Sequence, residues 1–313
     1  MTLIQLKYII SLDTYRHFSV AAEHCFVSQP TLSMQLQKAE DELGLRIFDR
    51  SKQPLIPTEH GAEVIEQARR ILAECEVLDQ LASFKTGVIA GELRIGIIPT
   101  LAPYLLPLLL PVFTRRYPKV RLVISELITP TIVSYLRQGK IDVGILATPL
   151  NESGINEIPL FYEELLAFVA KDSSTEKKVY LLPSDIDTDR LWLLEESHCL
   201  RSQIENLCEL KKAHDLNNQI TYESGSIETL KRMVDTNDGI TILPELAVLN
   251  GDHQQKKQLR YFKAPAPMRQ ISLIVHRGYI KRKLISLLEK EIKEVIPEKV
   301  LKNKPKHIVP IVI

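Results

Sequence analysis

Apolar positions along the first part of the chain recur at helical spacing and predict three short helices at 3–14, 19–26 and 29–43. Ser19 is a candidate N-cap, Pro30 suits a first helical turn after Ser28 and Gln29, and Gly44 fits a stop after Leu43. From 59 to 86 no proline occurs. Val64, Ile65, Ala68, Ile71, Leu72, Cys75, Leu78 and Ala82 form one stripe, so a single amphipathic helix of roughly 40 Å is expected. A second copy of the same helix is the simplest cover for that stripe. From Gly91 the pattern alternates between strand and helix, with strands at 92–98, 120–126 and 141–146 and helices running to Tyr117 and over 131–138. A second set takes in 165–170, 191–194, 226–235 and 239–243, and 270–276 and 281–296 close the region. Such alternation predicts βαβ units, a parallel sheet and an α/β fold class. The last stretch, 297–313, carries three prolines and a mixed basic and apolar run, and reads as a tail.

Charge changes the picture little. Across 313 residues, 40 Lys and Arg face 39 Asp and Glu, and the first 58 residues carry six of each sign. Binding to nucleic acid by bulk positive charge is excluded, whereas a placed reading element inside a neutral total is not. The longest apolar run, 105–113, is broken by Pro107 and Pro111 and is about half a membrane span. Lys7, Asp13 and Arg16 interrupt the N-terminus, so no signal peptide is expected and a cytoplasmic location is. Four cysteines, Cys25, Cys75, Cys199 and Cys208, are too few and too scattered for a disulfide scaffold.

Two short helices joined by a tight turn suit a helix-turn-helix, in which the second helix lies in the DNA major groove and its first side chains meet base edges. Gln29, Thr31, Ser33 and Gln35 carry groups able to bond bases or phosphates, and Ala21, Ala22 and Leu32 would pack between the helices. Residues 49–57 read as a turned wing, with Arg50 and Lys52 placed for backbone or minor-groove contact. A three-helix protein-binding module fits the same pattern. In the second half, Cys199 and Cys208 are nine positions apart, which is no zinc spacing, and no metal or cofactor is expected. Taken singly, they read as structural cysteines, and Thr100, Thr129 and His198 as cap or core residues. His198 and Arg201 beside Cys199 argue for more, because a nearby cation favours thiolate.

The stretches Phe18-Ser19-Val20-Ala21-Ala22-Glu23, Val27-Ser28-Gln29-Pro30-Thr31-Leu32-Ser33 and Leu43-Gly44-Leu45-Arg46-Ile47-Phe48-Asp49-Arg50 resemble the LysR-type transcriptional regulators. The resemblance extends over about 1–296. It implies a winged helix-turn-helix at 1–58 that binds double-stranded DNA through Ser28, Gln29, Pro30, Thr31, Ser33, Gln35 and Arg50. It further implies a linker and dimerisation helix at 59–90, and a two-lobed, periplasmic-binding-protein-like α/β regulatory domain at 91–296. Lobe I would comprise about 91–164 and 269–296, and lobe II about 165–268. A homodimer or homotetramer on paired half-sites, with RNA polymerase as a partner, follows from the same resemblance, and an enzyme does not.

Within that family, the regulatory half is similar to members that sense hydrogen peroxide. The residues concerned are Ile98-Pro99-Thr100, Pro103-Tyr104-Leu105-Leu106-Pro107, His198-Cys199-Leu200-Arg201 with Cys208, Glu228-Thr229-Leu230 and Gly239-Ile240-Thr241. The similarity implies a reversible Cys199–Cys208 disulfide, a peroxide pocket of Thr100, Thr129, His198 and Arg269, and a glutaredoxin- or thioredoxin-type reductant. A LysR-type regulator that senses a small organic ligand, with inert cysteines, remains an alternative, as does a thiol peroxidase or reductase. Leu200, Ile204, Leu207 and Cys208 share one helical stripe, so a helix is expected with Cys199 at its start and Cys208 facing the core. Nine helical residues separate the two Cα atoms by roughly 13 Å, whereas a disulfide tolerates at most about 7 Å. Forming the bond would require that helix to melt.

Overall fold

The structure, a computed structural model, describes residues 1–84, 89–171, 180–208, 224–237, 239–249, 251, 253–277, 281–304 and 306–311. The chain divides into two compact units, one of Met1–Ile89 with Gln138–Lys140, the other of Ala90–Arg137 and Ile141–Ile313.

In the first unit, α1 (Leu3–Tyr15), α2 (Phe18–His24) and α3 (Gln29–Leu43) precede a two-stranded antiparallel wing, β1 (Phe48–Asp49) and β2 (Ile56–Pro57), and then α4 (Glu59–Phe84). Ser28 caps α3, its Oγ accepting the Thr31 N–H at 3.3 Å, and Gly44 ends it in the left-handed conformation at φ 68°. The residue capping α2 is His17, whose side chain makes no cap hydrogen bond, and not Ser19. Leu6, Ile9, Leu12, Ala21, Ala22, Leu32 and Leu36 are buried together with Phe48 of the wing. Two buried carboxylates tie the elements. Glu40 accepts Arg46 and Arg50 at 2.9 Å each and the Ile47 N–H at 2.8 Å, and Asp13 pairs with Arg16 and Arg69.

The first half of α4 does not wait for a second copy. Ile65 and Ala68 are buried in the core of this unit, and Val64, Ile71 and Leu72 pack against it. Leu78, further along the stripe, is 67% exposed, and Cys75 is half-buried and not part of the core. Ala82 and residues 85–88, which the expected linker includes, lie outside the described side chains and residues respectively.

The second unit alternates β3 (Gly91–Ile97), α5 (Ala102–Arg116), β4 (Val120–Glu126), α6 (Thr129–Arg137) and β5 (Val143–Thr148), giving the parallel order β4-β3-β5. Every residue of β5 is buried, as expected for a parallel strand covered on both faces. Pro103, Pro107 and Pro111 stand four apart on the exposed face of α5, while Leu105, Leu109 and Phe113 are buried. The prolines therefore fall where the helix is exposed.

The strand expected at 165–170 is the second half of one long strand, β6 (Ile155–Val169). Up to Glu164 it pairs with β10 (Met268–His276), which also pairs with β5; from Leu165 it pairs with β8 (Ile240–Pro244). It is also bonded to β9 (Leu259–Phe262), and β9 pairs with β7 (Tyr180–Leu181). The two lobes thus share a strand, and the change of partner falls between Glu164 and Leu165. Residues 191–194 form isolated bridges and no strand, Leu191 to Ile240 and Leu194 to Ser224. Around the second lobe lie α7 (Cys199–Leu207), α8 (Ile227–Asn237) and α9 (His253–Gln258), and α10 (Arg282–Val295) packs on α5 in the first.

Residues 297–304 and 306–311 are not a loose tail. They form α11 (Glu298–Leu301) and then an extended segment whose Ile308 bridges Met268, with Val300 and Val309 buried at 0% and 2% exposure. Burial of two valines and main-chain bonds to β10 outweigh the turn-forming prolines from which the tail was inferred.

Candidate functional site

The candidate DNA-reading surface lies at the start of α3. Ser28, Gln29 and Pro30 are exposed, Thr31 and Ser33 are partly so, and the Ser28 and Thr31 hydroxyls bond each other at 2.7 Å. Phe26 in the turn takes a positive φ of 55° and is 94% exposed. Gln35 and Arg50 are already engaged. The Gln35 amide oxygen accepts from Gln5 at 3.2 Å, and Arg50 combines its bond to Glu40 with a position 5.8 Å from the Phe18 ring centroid. Arg46 and Arg50 share one buried carboxylate, that of Glu40.

The second cluster lies in the two-lobed unit. Thr129 opens α6, Thr100 sits in the turn between β3 and α5, Arg269 is the second residue of β10, and Cys199 opens α7. All but the half-buried Cys199 are withdrawn from solvent; Arg269 is 0% exposed. The Cys199 thiol donates to Thr129 Oγ1 at 3.1 Å. The Arg269 guanidinium donates to the Thr100 hydroxyl at 3.1 Å, to the Thr100 carbonyl at 3.3 Å and to Glu163 Oε1 at 2.7 Å. A hydroxyl that accepts from a guanidinium still has a proton to donate. His198, next to Cys199, is buried and lies 3.4 Å from Glu195.

Burial pushes the Cys199 thiol above its ordinary value; the Thr129 hydrogen bond, a backbone bond and the Arg269 charge pull the other way. The cations expected from sequence do not act here. Burial lowers the His198 pKa, against the pull of Glu195, so the imidazole is neutral near pH 7. Arg201 is turned to Glu205 at 2.9 Å and to the Leu194 carbonyl at 3.0 Å. The positive charge that favours a Cys199 thiolate is Arg269, 70 residues on in sequence. Cys208 follows the last residue of α7, its N–H donating to the Ile204 carbonyl at 2.9 Å, and packs against the lobe II core with Leu200, Ile204 and Leu207. Burial alone raises its pKa to about 11.

Glu163 is the residue that sequence reasoning missed. It is fully buried, it neutralises Arg269, and its second oxygen accepts the Leu246 N–H at 3.0 Å. The signal was present: Glu163 and Glu164 interrupt an otherwise apolar run in a strand buried on both faces, and a buried carboxylate requires a partner.

A winged helix-turn-helix joined to a two-lobed α/β unit defines a class, and comparison with known proteins gives it a family. Residues 3–62 match the bacterial regulatory helix-turn-helix domain of the lysR family, and 86–296 match the LysR substrate binding domain. The chain belongs to the LysR family of DNA-binding transcriptional regulators. Among its relatives, the hydrogen peroxide-inducible genes activator of Dickeya chrysanthemi is 36% identical over 280 residues, covering 89% of this chain and 90% of that one. The DNA-binding transcriptional dual regulator OxyR of Escherichia coli K12 is 35% identical over the same shares. A full-length OxyR variant from Pseudomonas aeruginosa superposes with a TM-score of 0.79 at 34% identity, over 94% of this chain and 98% of that one. An H2O2-bound OxyR mutant from Corynebacterium glutamicum gives 0.60 at 28% identity, over 96% and 94%.

Proposed function

We propose that this chain is a peroxide-responsive transcriptional regulator switched by a reversible Cys199–Cys208 disulfide. The observation that carries the proposal is a half-buried thiol bonded to Thr129 beside a buried guanidinium, with a second thiol closing the same helix. Thr100, Thr129, His198 and Arg269 form the pocket. Peroxide is small and polar, and hydroxyl and guanidinium donors orient it so that its O–O bond lies in line with the sulfur. The Cys199 thiolate attacks one oxygen, the O–O bond breaks, and the leaving hydroxide takes a proton to become water. The product is a sulfenic acid. Cys208 then attacks the Cys199 sulfur, the S–O bond breaks, and a second water leaves, so two thiols have given two electrons to one peroxide. A glutaredoxin- or thioredoxin-type dithiol restores both thiols. Homodimers or homotetramers read paired DNA half-sites through Ser28, Gln29, Pro30, Thr31, Ser33, Gln35 and Arg50, and act on RNA polymerase in the cytoplasm.

An organic effector between the lobes would meet Arg269, Thr100 and Glu163 already bonded to one another and buried, which favours the smaller ligand. The test is a free-thiol count on DNA-bound protein before and after one equivalent of peroxide. Two thiols should disappear in the wild type. Cys199→Ser should lose all response, and Cys208→Ser should stop at sulfenic acid. A DNA response that survives Cys199→Ser would overturn the proposal, and sustained turnover of peroxide with a thiol donor would favour an enzyme.

A further inference from the structure

The segment after residue 296 lies outside the matched regulatory domain, yet it is bonded to the helix that carries Cys199. It is first moored to Tyr162 in lobe I and to Glu245 in lobe II. Lys299 pairs with Glu245 at 2.7 Å, and Asn303 donates to the Tyr162 carbonyl and to Glu245, each at 3.0 Å. It then runs beside β10, where Met268 donates its N–H to the His307 carbonyl at 2.8 Å and Val309 donates to the Met268 carbonyl at 2.9 Å. Met268 directly precedes Arg269. From that position the segment reaches α7. The buried Gln203 side chain donates to the Val309 carbonyl at 3.0 Å, Asn206 donates to the Pro310 carbonyl at 3.1 Å, and Val309 enters the core with Leu200, Ile204 and Leu207.

We infer that residues 307–311 are a positioning strap for the thiol switch: they hold α7 helical against β10 and so set the rate at which Cys208 reaches oxidised Cys199. The inference rests on the disulfide proposal. In the closing step, the Cys208 sulfur displaces water from the Cys199 sulfenic acid, with peroxide as the oxidant already consumed. The two sulfurs cannot meet while α7 is wound, because its ends are roughly 13 Å apart and the bond allows at most about 7 Å. Gln203 and Asn206 lie between them. Unwinding therefore separates these side chains from carbonyls that β10 holds in place, and the bonds to the strap exist only in the dithiol form. The first chemical step needs no such movement. The strap should slow ring closure and leave peroxide attack unchanged.

Two variants of the full chain separate these steps: a chain ending at Lys306, and Asn206→Ala, which removes one bond at an exposed position. Sulfenic acid formation, trapped with dimedone, should stay within about twofold of wild type in both. Disulfide closure, followed by loss of free thiols, should quicken about fivefold in Asn206→Ala and tenfold or more in the shortened chain, since one net hydrogen bond corresponds to roughly a fivefold change. Wild-type protein supplies a further readout: Lys302 and Lys306 are exposed in a segment held to β10, so oxidation should speed tryptic cleavage after them, and Cys208→Ser should keep the dithiol rate. Wild-type closure rates in Asn206→Ala, together with unchanged cleavage on oxidation, would overturn the strap, whether or not the shortened chain folds. If wild-type protein forms no disulfide with peroxide, the failure is that of the switch itself.

Discussion

Cys199 is held as a thiol by burial and drawn toward thiolate by two side chains, Thr129 and Arg269, and by a backbone bond, and the two threonines of the proposed pocket touch different groups. Thr129 touches the sulfur, whereas Thr100 touches the guanidinium. Thr129→Val should therefore raise the thiol pKa further and slow alkylation at neutral pH by roughly tenfold, because a hydrogen bond to a charged group is lost. Thr100→Val should leave alkylation near wild type and slow the reaction with peroxide. The sign with pH follows from burial: with the thiol raised, its reactivity should climb about tenfold per pH unit through neutrality. A rate flat from about pH 6 to 8 would mean that the thiolate is already formed. The sequence made the two cysteines and Thr100 visible through their neighbours. It could not show that Arg201 turns away to Glu205, or that the charge drawing Cys199 toward thiolate is that of Arg269 on β10, because only the fold brings residues 70 apart in sequence near one another.

Two elements with strong periodicity, one helix and one strand, were legible almost to the residue. The expected 29–43 is α3, and 120–126 is β4. The long β6 was read only from its second half, because the first half, paired with β10, runs through exposed Asn156 and Pro159 while the second is apolar throughout. The wing was legible as a turn, but its anchor was not. Gly61, near the start of α4, approaches the backbone so closely that an added Cβ would stand 1.9 Å from the Ile47 carbonyl oxygen. Gly61→Ala should therefore cost roughly 1–3 kcal/mol through overpacking and weaken DNA binding by displacing the wing from α4. Gly225→Ala, where the new carbon meets nothing within 4 Å, is the control. Equal thermal midpoints for the two variants would show that the wing tolerates the displacement.

At the scale of the whole molecule, a neutral chain carries a helix-turn-helix in one unit and a thiol pair in the other, and the proposed switch requires a bond between two sulfurs to be felt as a change of shape. The described residues supply a route. Helix α7 packs Leu200, Ile204, Leu207 and Cys208 into the lobe II core, and that lobe is continuous with the other through β6. In the proposed switch, withdrawing Cys208 would remove part of that packing and change the surface of that lobe. The family and the long helix from residue 59 were legible from sequence; the mooring of residues 306–311 was not, because it depends on Val309 finding a distant core. The most direct test of the switch is hydrogen exchange over residues 199–208 in the full chain bound to DNA, compared between dithiol and disulfide forms. The amides of α7 should be protected in the dithiol form and lose that protection once the Cys199–Cys208 bond has formed. Unchanged protection after complete oxidation would contradict the switch, even with the bond in place.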